Sequence, residues 1–379
     1  MQIALKIPKN NAFPLSCHHF CITLQHYVES GGCYAPANTA LLKRITPLGF
    51  HKRNTVDMSI NYNKMINREL IRIKTVQLTY AYFQNGNNDI DKAEKELLFS
   101  LSKAYHLYNC LLLLIVAITK MARKRVNVAT AKAEREGTEL PSQKFAYNKF
   151  AMQLEENKML KEFTEQQKDI WEDRTEFVKK LFLQIEQSEP YKEFMDSKDD
   201  DYEIHRELWR KLYKLFIQNN EELDAVLEEI SLYWNDDKEV VDTFVLKTIK
   251  RFDPKQNNKQ ELLPEYGDDE DKEYARKLFR AAILNATQYQ EYMAEASRHW
   301  DFSRLAYMDI VIMQLAIAEM LTFPNIPVNV TINEFVELAK LYSTPRSGGY
   351  INGMLDTIAR SLIENGKLLK TMPERNRKQ

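Results

Sequence analysis

Residues Ser343–Leu362 read STPRSGGYINGMLDTIARSL. Three of the chain's ten glycines, Gly348, Gly349 and Gly353, fall within six residues here. The first two make a loop. Gly353 follows inside a helical pattern, in which Ile351, Met354, Leu355, Ile358, Ala359 and Leu362 recur at spacings of three and four. Glycine costs about 1 kcal/mol against alanine in a helix interior. It is therefore expected at 353 because a neighbouring backbone comes too close for a Cβ. Asn352, at the start of that helix, reads as a capping residue.

The neighbour expected for Gly353 is RLAYMDIVIMQLAIAEML, Arg304–Leu321, an apolar run interrupted by Asp309, Gln314 and Glu319. A helix apolar nearly all round belongs at the centre of a bundle. Pro324 and Pro327 end it. Next comes VTINEFVELAKLYS, Val330–Ser343, in which Thr331 and Glu334 have the spacing of a capping box, with Val330 and Phe335 as its hydrophobic staple. Ile332, Phe335, Val336, Ala339 and Tyr342 form the apolar stripe of this helix.

Composition agrees with helices. Glycine and proline are scarce in 379 residues, charged residues make up 28% and hydrophobic residues 44%. That combination favours an all-α protein over a β-sandwich or a glycine-rich nucleotide-binding fold. The net charge of −1 means that nucleic-acid binding must come from a local patch. Four unevenly spaced cysteines give no disulfide framework. The apolar run Cys110–Ile118 has nine residues, whereas a bilayer span needs roughly 20. It reads as the core of a buried helix. No secretory h-region is visible, so a cytoplasmic location is expected.

Residues 1–64 stand apart. They hold three of the four cysteines, four of the seven histidines, and seven Lys/Arg against two acids. Cys17–Cys21 with His26 and Cys33 matches no common structural-zinc spacing, so no metal is expected. This segment reads as a disordered or non-native extension, with Met65 as the working start. From Met65 a helical face appears, carrying Ile66, Leu70, Ile73, Tyr80 and Phe83, and Asn85-Gly86 is its stop. A second helix is expected from Ile90 to Arg125. The charged region beyond has breaks near 137–141, 188–190, 197–201 and 235–238. Its recurring aromatics argue for packed helices rather than a linker. A loop at 252–271 leads to a helix expected over 272–296. Catalytic signatures are missing: no GxGxxG, P-loop, GxSxG or HExxH occurs, and neither an enzyme nor a cofactor is expected.

The segments RLAYMDIVIMQLAIAEML, PVNVTINEFVELAKLYS and GGYINGMLDTIARSL together resemble the C-terminal half of the NusB transcription antitermination family. The carriers are a Leu-x-x-x-Asp helix ending in Glu-Met, an INE-x-apolar-ELAK helix, and an aromatic-Ile-Asn-Gly-apolar-Leu-Asp turn into the last helix. Met65, Arg68, Arg72 and VQLTY (Val76–Tyr80) resemble the family's first helix. The resemblance implies an all-α, NusB-like pair of helical bundles with a long helical insertion. The expected parts are an N-terminal bundle at 65–125, an insertion at 126–265, a C-terminal bundle at 266–370 and a basic tail at 371–379. It also implies a non-enzymatic role: binding boxA-like single-stranded RNA together with the small-subunit ribosomal protein that acts as NusE, within the RNA polymerase antitermination complex. No membrane partner is implied.

Candidate RNA contacts follow. Arg68, Arg72 and Thr75 share one helix face, with Lys74 beside them, and guanidinium groups pair with phosphate oxygens. Tyr350, at the tip of the glycine loop, is placed to stack on a base, with Arg346 and Ser347 close by for phosphates. Gly348-Gly349 lets a nucleotide approach the backbone. The resemblance assigns Tyr80 and Asp309 to the protein partner. Each residue also has a plainer reading: a solvated face for the arginines, packing under the loop for Tyr350, satisfaction inside the bundle for Tyr80 and Asp309. The alternative function is a helical interaction scaffold without RNA binding.

Overall fold

The computed structural model describes residues 64–86, 89–267, 269–297, 305–344 and 346–372. The leader with its Cys17–Cys21 cluster, His299 and the tail from 373 lie outside the described residues. Every regular element among the described residues is helical, and no strand occurs among them. The α-helices run in this order: α1 Arg68–Gln84, α2 Ile90–Glu136, α3 Lys149–Glu155, α4 Lys158–Gln166, α5 Thr175–Glu186, α6 Glu189–Asp196 and α7 Tyr202–Leu212. Then come α8 Glu221–Ile230, α9 Lys238–Arg251, α10 Asp269–Leu284, α11 Ala286–Ala296, α12 Tyr307–Thr322, α13 Val328–Tyr342 and α14 Ser347–Glu364.

The four breaks expected in the charged region fall between helices or at their caps. Two expected boundaries move. α2 does not stop at Arg125 but runs 47 residues to Glu136. Residues 126–136 hold no breaker, and the stop comes at Gly137, whose φ of 66° an L side chain rarely adopts. The single helix expected over 272–296 is two helices, parted at Asn285 (φ −107°, ψ 18°).

The chain forms two compact units, divided at 71/72, 94/95 and 272/273, inside α1, α2 and α10. The boundaries expected from the sequence lie at 125/126 and 265/266. The central unit comprises 64–71 and 95–272. Its spine is α2, where Leu107, Tyr108 and every residue of the run Cys110–Ile118 except Ala117 are buried. By length and composition α2 passes as a membrane span, but 72% of its most apolar window is buried inside the protein, as a core helix requires. The aromatics of the charged region close over it. Trp171 Nε1 donates to Cys110 O at 2.7 Å and Trp234 Nε1 to Lys103 O at 2.8 Å. Trp209 and Phe182 flank Phe145, and all three are buried. Tryptophan that buries its body and satisfies its N–H marks folded helices. Met65 N and Ile66 N donate to Pro264 O and Glu265 O, both at 2.9 Å, which ties the start of the described chain into this unit.

The C-terminal unit comprises 72–94 and the described residues from 273 onward. Here α12, α13 and α14 pack on one another, and α11 packs on α12 and α14. From Met308 to Met320 every residue of α12 is buried, as an all-round apolar helix should be.

The glycine expectation is overturned. Gly353 is exposed, and a Cβ built on it meets nothing within 4 Å. The close approach belongs to Gly348, where a Cβ would lie 3.0 Å from Cγ of Lys340. Met354 and Leu355, the next two residues, carry the inward face, so Gly353 points away from the seam that was expected to require it. Asn352 does not cap either. The helix has already begun at Ser347, which leaves Asn352 exposed in its interior.

Candidate functional site

The capping box is also absent, and its failure leads to the polar centre of the C-terminal unit. Pro327, with φ −61° and ψ 144°, occupies the position before the first turn of α13, so the helix starts at Val328. That puts Thr331 a full turn inside it, with its hydroxyl free of capping work. Thr331 Oγ1 instead donates to Glu319 Oε1 at 2.7 Å. Glu334 takes a hydrogen bond from Arg72 Nη1 at 3.1 Å.

Arg72 is the hub. Its Nε donates to Glu319 Oε2 at 2.7 Å and its Nη2 to Glu319 Oε1 at 3.0 Å, a bidentate pair between α1 and α12. Tyr274 Oη donates to Glu319 Oε2 from α10. Glu319 thus receives four donors from three helices. Burial pushes its carboxyl upward, but the Arg72 charge and these hydrogen bonds outweigh it and hold the carboxyl below the usual glutamate value. Burial also opposes the Arg72 charge, and the surrounding Tyr274, Glu319 and Glu334 more than restore it.

This arrangement corrects the reading of Arg72 as part of an RNA-facing surface. The residue is only 5% exposed, and its guanidinium is committed to carboxylates. Lys74 and Thr75 are likewise buried. The physical reason is that every residue of α1 from Leu70 to Ala81 is buried, so the polar side chains among them must find partners inside. Arg68 differs: its side chain is 38% exposed, 3.6 Å from Glu270 in the central unit. Sequence reasoning registered Glu319 only as a polar interruption of an apolar helix. That was the available signal, because all three interruptions prove buried and bonded: Gln314 Nε2 donates to Ala282 O at 2.8 Å.

The third interruption, Asp309, lies under the first turn of α14. Ser347 Oγ donates to Asp309 Oδ2 at 2.9 Å, and the Ser343 hydroxyl lies near enough to help lower this carboxyl. Ser347 Oγ lies 3.1 Å from Ser343 Oγ and 2.8 Å from Thr344 Oγ1 and accepts from Thr344 N at 3.3 Å. Ser347 is therefore buried and engaged, not offered to a phosphate. Asp309 is 5% exposed, and its Oδ1 has no hydrogen-bond partner among the described residues. Burial pushes this carboxyl up, and the two serine hydroxyls offset that only in part. Tyr350, half-buried, has its phenol pushed up by burial and by the nearby Asp309. Arg346 and Gly349 are exposed, and nothing stands within 4 Å of where a Gly349 Cβ would be. One turn thus presents Arg346 and the bare backbone of Gly349 outward, with Tyr350 half-buried beside them and its hydroxyl enclosed, over a buried carboxylate.

Tyr80 is buried, its ring edge-on to Tyr307 at 5.6 Å. Among the described residues no group of three His, Cys, Asp or Glu is placed to share a metal ion.

A sequence model of the NusB family matches residues 241–360, beginning inside α9, in the last part of the segment expected as an insertion. The chain is similar to proteins named transcription antitermination protein NusB. That of Geotalea daltonii is 35% identical over 132 residues, 35% of this chain and 88% of the relative. That of Natranaerobius thermophilus is 47% identical over 90 residues, 24% of this chain and 65% of the relative. That of Salinibacter ruber is 35% identical over 100 residues, 26% of this chain and 62% of the relative. The chain thus spans less than two thirds of the length of these last two. No solved structure matches it. Over these shared helices, the chain belongs to the NusB family.

Proposed function

We propose that the chain is a transcription antitermination factor. On this reading it binds boxA-like single-stranded RNA of rRNA leaders together with a small-subunit ribosomal protein acting as NusE, within the RNA polymerase antitermination complex, and performs no catalysis. The observation that carries the reading is the outward side of the first turn of α14. Arg346 offers an exposed guanidinium for phosphate, the half-buried Tyr350 the accessible part of its ring for a base, and Gly349 an unobstructed backbone. The names of the relatives support the same role. Arg68 is kept as a further phosphate contact. Arg72, Lys74, Thr75 and Ser347 are withdrawn to the interior.

The test is a titration of boxA-like RNA across a salt series, with and without the ribosomal protein. Counterion release predicts that affinity falls steeply with salt, and that Arg346→Gln lowers the slope by about one. Tyr350→Ala is expected to weaken binding about 5- to 100-fold, the worth of one stacked base. Equal, weak binding to a scrambled RNA rejects the proposal.

A second reading, a helical interaction scaffold without RNA binding, is favoured by one observation. Arg72, one of the cations expected on the α1 face, is spent internally, on Glu319 and Glu334. Retained partner capture with no RNA affinity is its signature.

A further inference from the structure

The family resemblance assigns the acid beneath α14 to a protein partner. Its geometry suits a different task. Asp309 is nearly inaccessible, and its Oδ1 is buried, so an outside partner has no direct approach to it. What it does touch is the turn that carries Arg346 and Tyr350. Ser343 ends α13 and Ser347 begins α14; the Ser347 hydroxyl bonds to the Asp309 carboxylate, and the Ser343 hydroxyl lies 3.1 Å from that of Ser347. Ser347 in turn gathers Thr344 through its hydroxyl and its backbone N–H. Arg346 precedes Ser347 directly, and Tyr350 follows within one helical turn. No cation bonds to Asp309 among the described residues, unlike Glu319 on the same helix. The carboxylate instead faces hydroxyls, whose bonds constrain direction but return less energy than an ion pair.

We propose that Asp309 is a positioning residue for RNA recognition: through Ser347 and Ser343 it fixes the connection between α13 and α14, and so sets where Arg346 and Tyr350 stand. The inference rests on the RNA reading above and deepens it. A buried carboxylate without a counter-charge contributes little to stability, and an apolar residue of similar volume in its place is often neutral or stabilising. Its presence in the buried helix α12 then follows from placement rather than from stability.

The experiment compares Asp309→Leu, Ser347→Ala and the double variant with the parent and with Arg346→Gln and Tyr350→Ala. The readouts are melting temperature, affinity for boxA-like RNA across a salt series, and amide exchange over residues 344–351. The expected result is a D309L protein that melts no lower than the parent yet binds RNA about 3- to 10-fold more weakly. Its salt slope should be unchanged, since no phosphate contact is lost. Exchange over 344–351 should be faster. S347A should weaken binding similarly, and the double variant should be no worse than either single one, because both remove one interaction. Should D309L melt below the parent, S347A, which deletes one hydroxyl, carries the test. If R346Q and Y350A weaken RNA binding while D309L and S347A bind like the parent, the inference is overturned and the RNA reading stands. If the parent binds no RNA, the reading itself has failed and the inference falls with it. If D309L alters only capture of the ribosomal protein, Asp309 is a partner contact and not a positioning residue.

Discussion

Glu319 and Asp309 lie ten residues apart on the same buried helix, and the protein treats them in opposite ways. Glu319 receives a bidentate arginine, a tyrosine and a threonine, and its carboxyl is held below the ordinary value. Asp309 meets hydroxyls, keeps one oxygen without a hydrogen bond among the described residues, and its carboxyl is pushed up. A buried charge is tolerated either by full compensation or by sharing its cost with the structure it organises. The first pattern marks a post that holds α1, α10, α12 and α13 together. The second marks a fitting whose loss the fold should survive.

The largest predicted effect breaks the Glu319 side. Arg72→Met strips the carboxylate of its cation, and denaturant unfolding should show a loss of about 3–5 kcal/mol. A loss under 1 kcal/mol would remove Glu319 from the role of post.

Acid titration sharpens the contrast. The folded value of Glu319 lies below its unfolded value of about 4.5, so its contribution is present above that pH and is lost as pH falls through the folded value. Asp309 runs the other way: its folded value lies above 3.8, so its contribution is present at lower pH and is lost as pH rises through the folded value. In melting curves taken across the acid range, Glu319→Gln should flatten the stability loss below pH 4.5, and Asp309→Asn should not. His106 in the central unit adds a separate window. Burial, then Lys103, lowers its value from 6.5 to about 4, so its contribution is lost as pH falls between those values. His106→Gln should remove that part of the profile.

Smaller effects test the details. Thr331→Val keeps the shape but deletes one donor to Glu319, and should cost about 1 kcal/mol by denaturant melt. If Thr331 capped its helix after all, the same change would also raise amide exchange across the first turn of α13. Gly353→Ala places a methyl group where nothing stands within 4 Å, in an ordinary helical conformation, so it should stabilise by about 0.5–1 kcal/mol. A stabilised variant that binds RNA less well would extend the proposed surface along α14 to residue 353.

Much of the fold was legible before any coordinate. Helix starts and stops are local: the Asn85-Gly86 stop, the break near 137, and the all-round apolar pattern of α12 each depend on a few neighbouring residues. The family resemblance rested on the same local patterns in α12, α13 and α14. The site was less legible. The sequence supplied Arg346, Tyr350 and Asp309 as residues of interest, but it also supplied Arg72, Lys74, Thr75 and Ser347 with equal weight.

What the sequence by itself determined is the set of helices and the polar residues interrupting them. Only the tertiary structure decided which polar groups meet. Arg72 and Glu319 are 247 residues apart, and no local period records their pairing. Gly353 reads as a packing glycine from its spacing, yet whether a neighbour stands over it depends on the rotation of α14 against other helices. Thr331 and Glu334 satisfy the capping pattern, yet Pro327 starts the helix a turn earlier and releases both for longer-range work. Hydrophobic period and chain breakers act over a few residues, whereas a buried charge is settled by whatever partner the completed fold brings within hydrogen-bond reach.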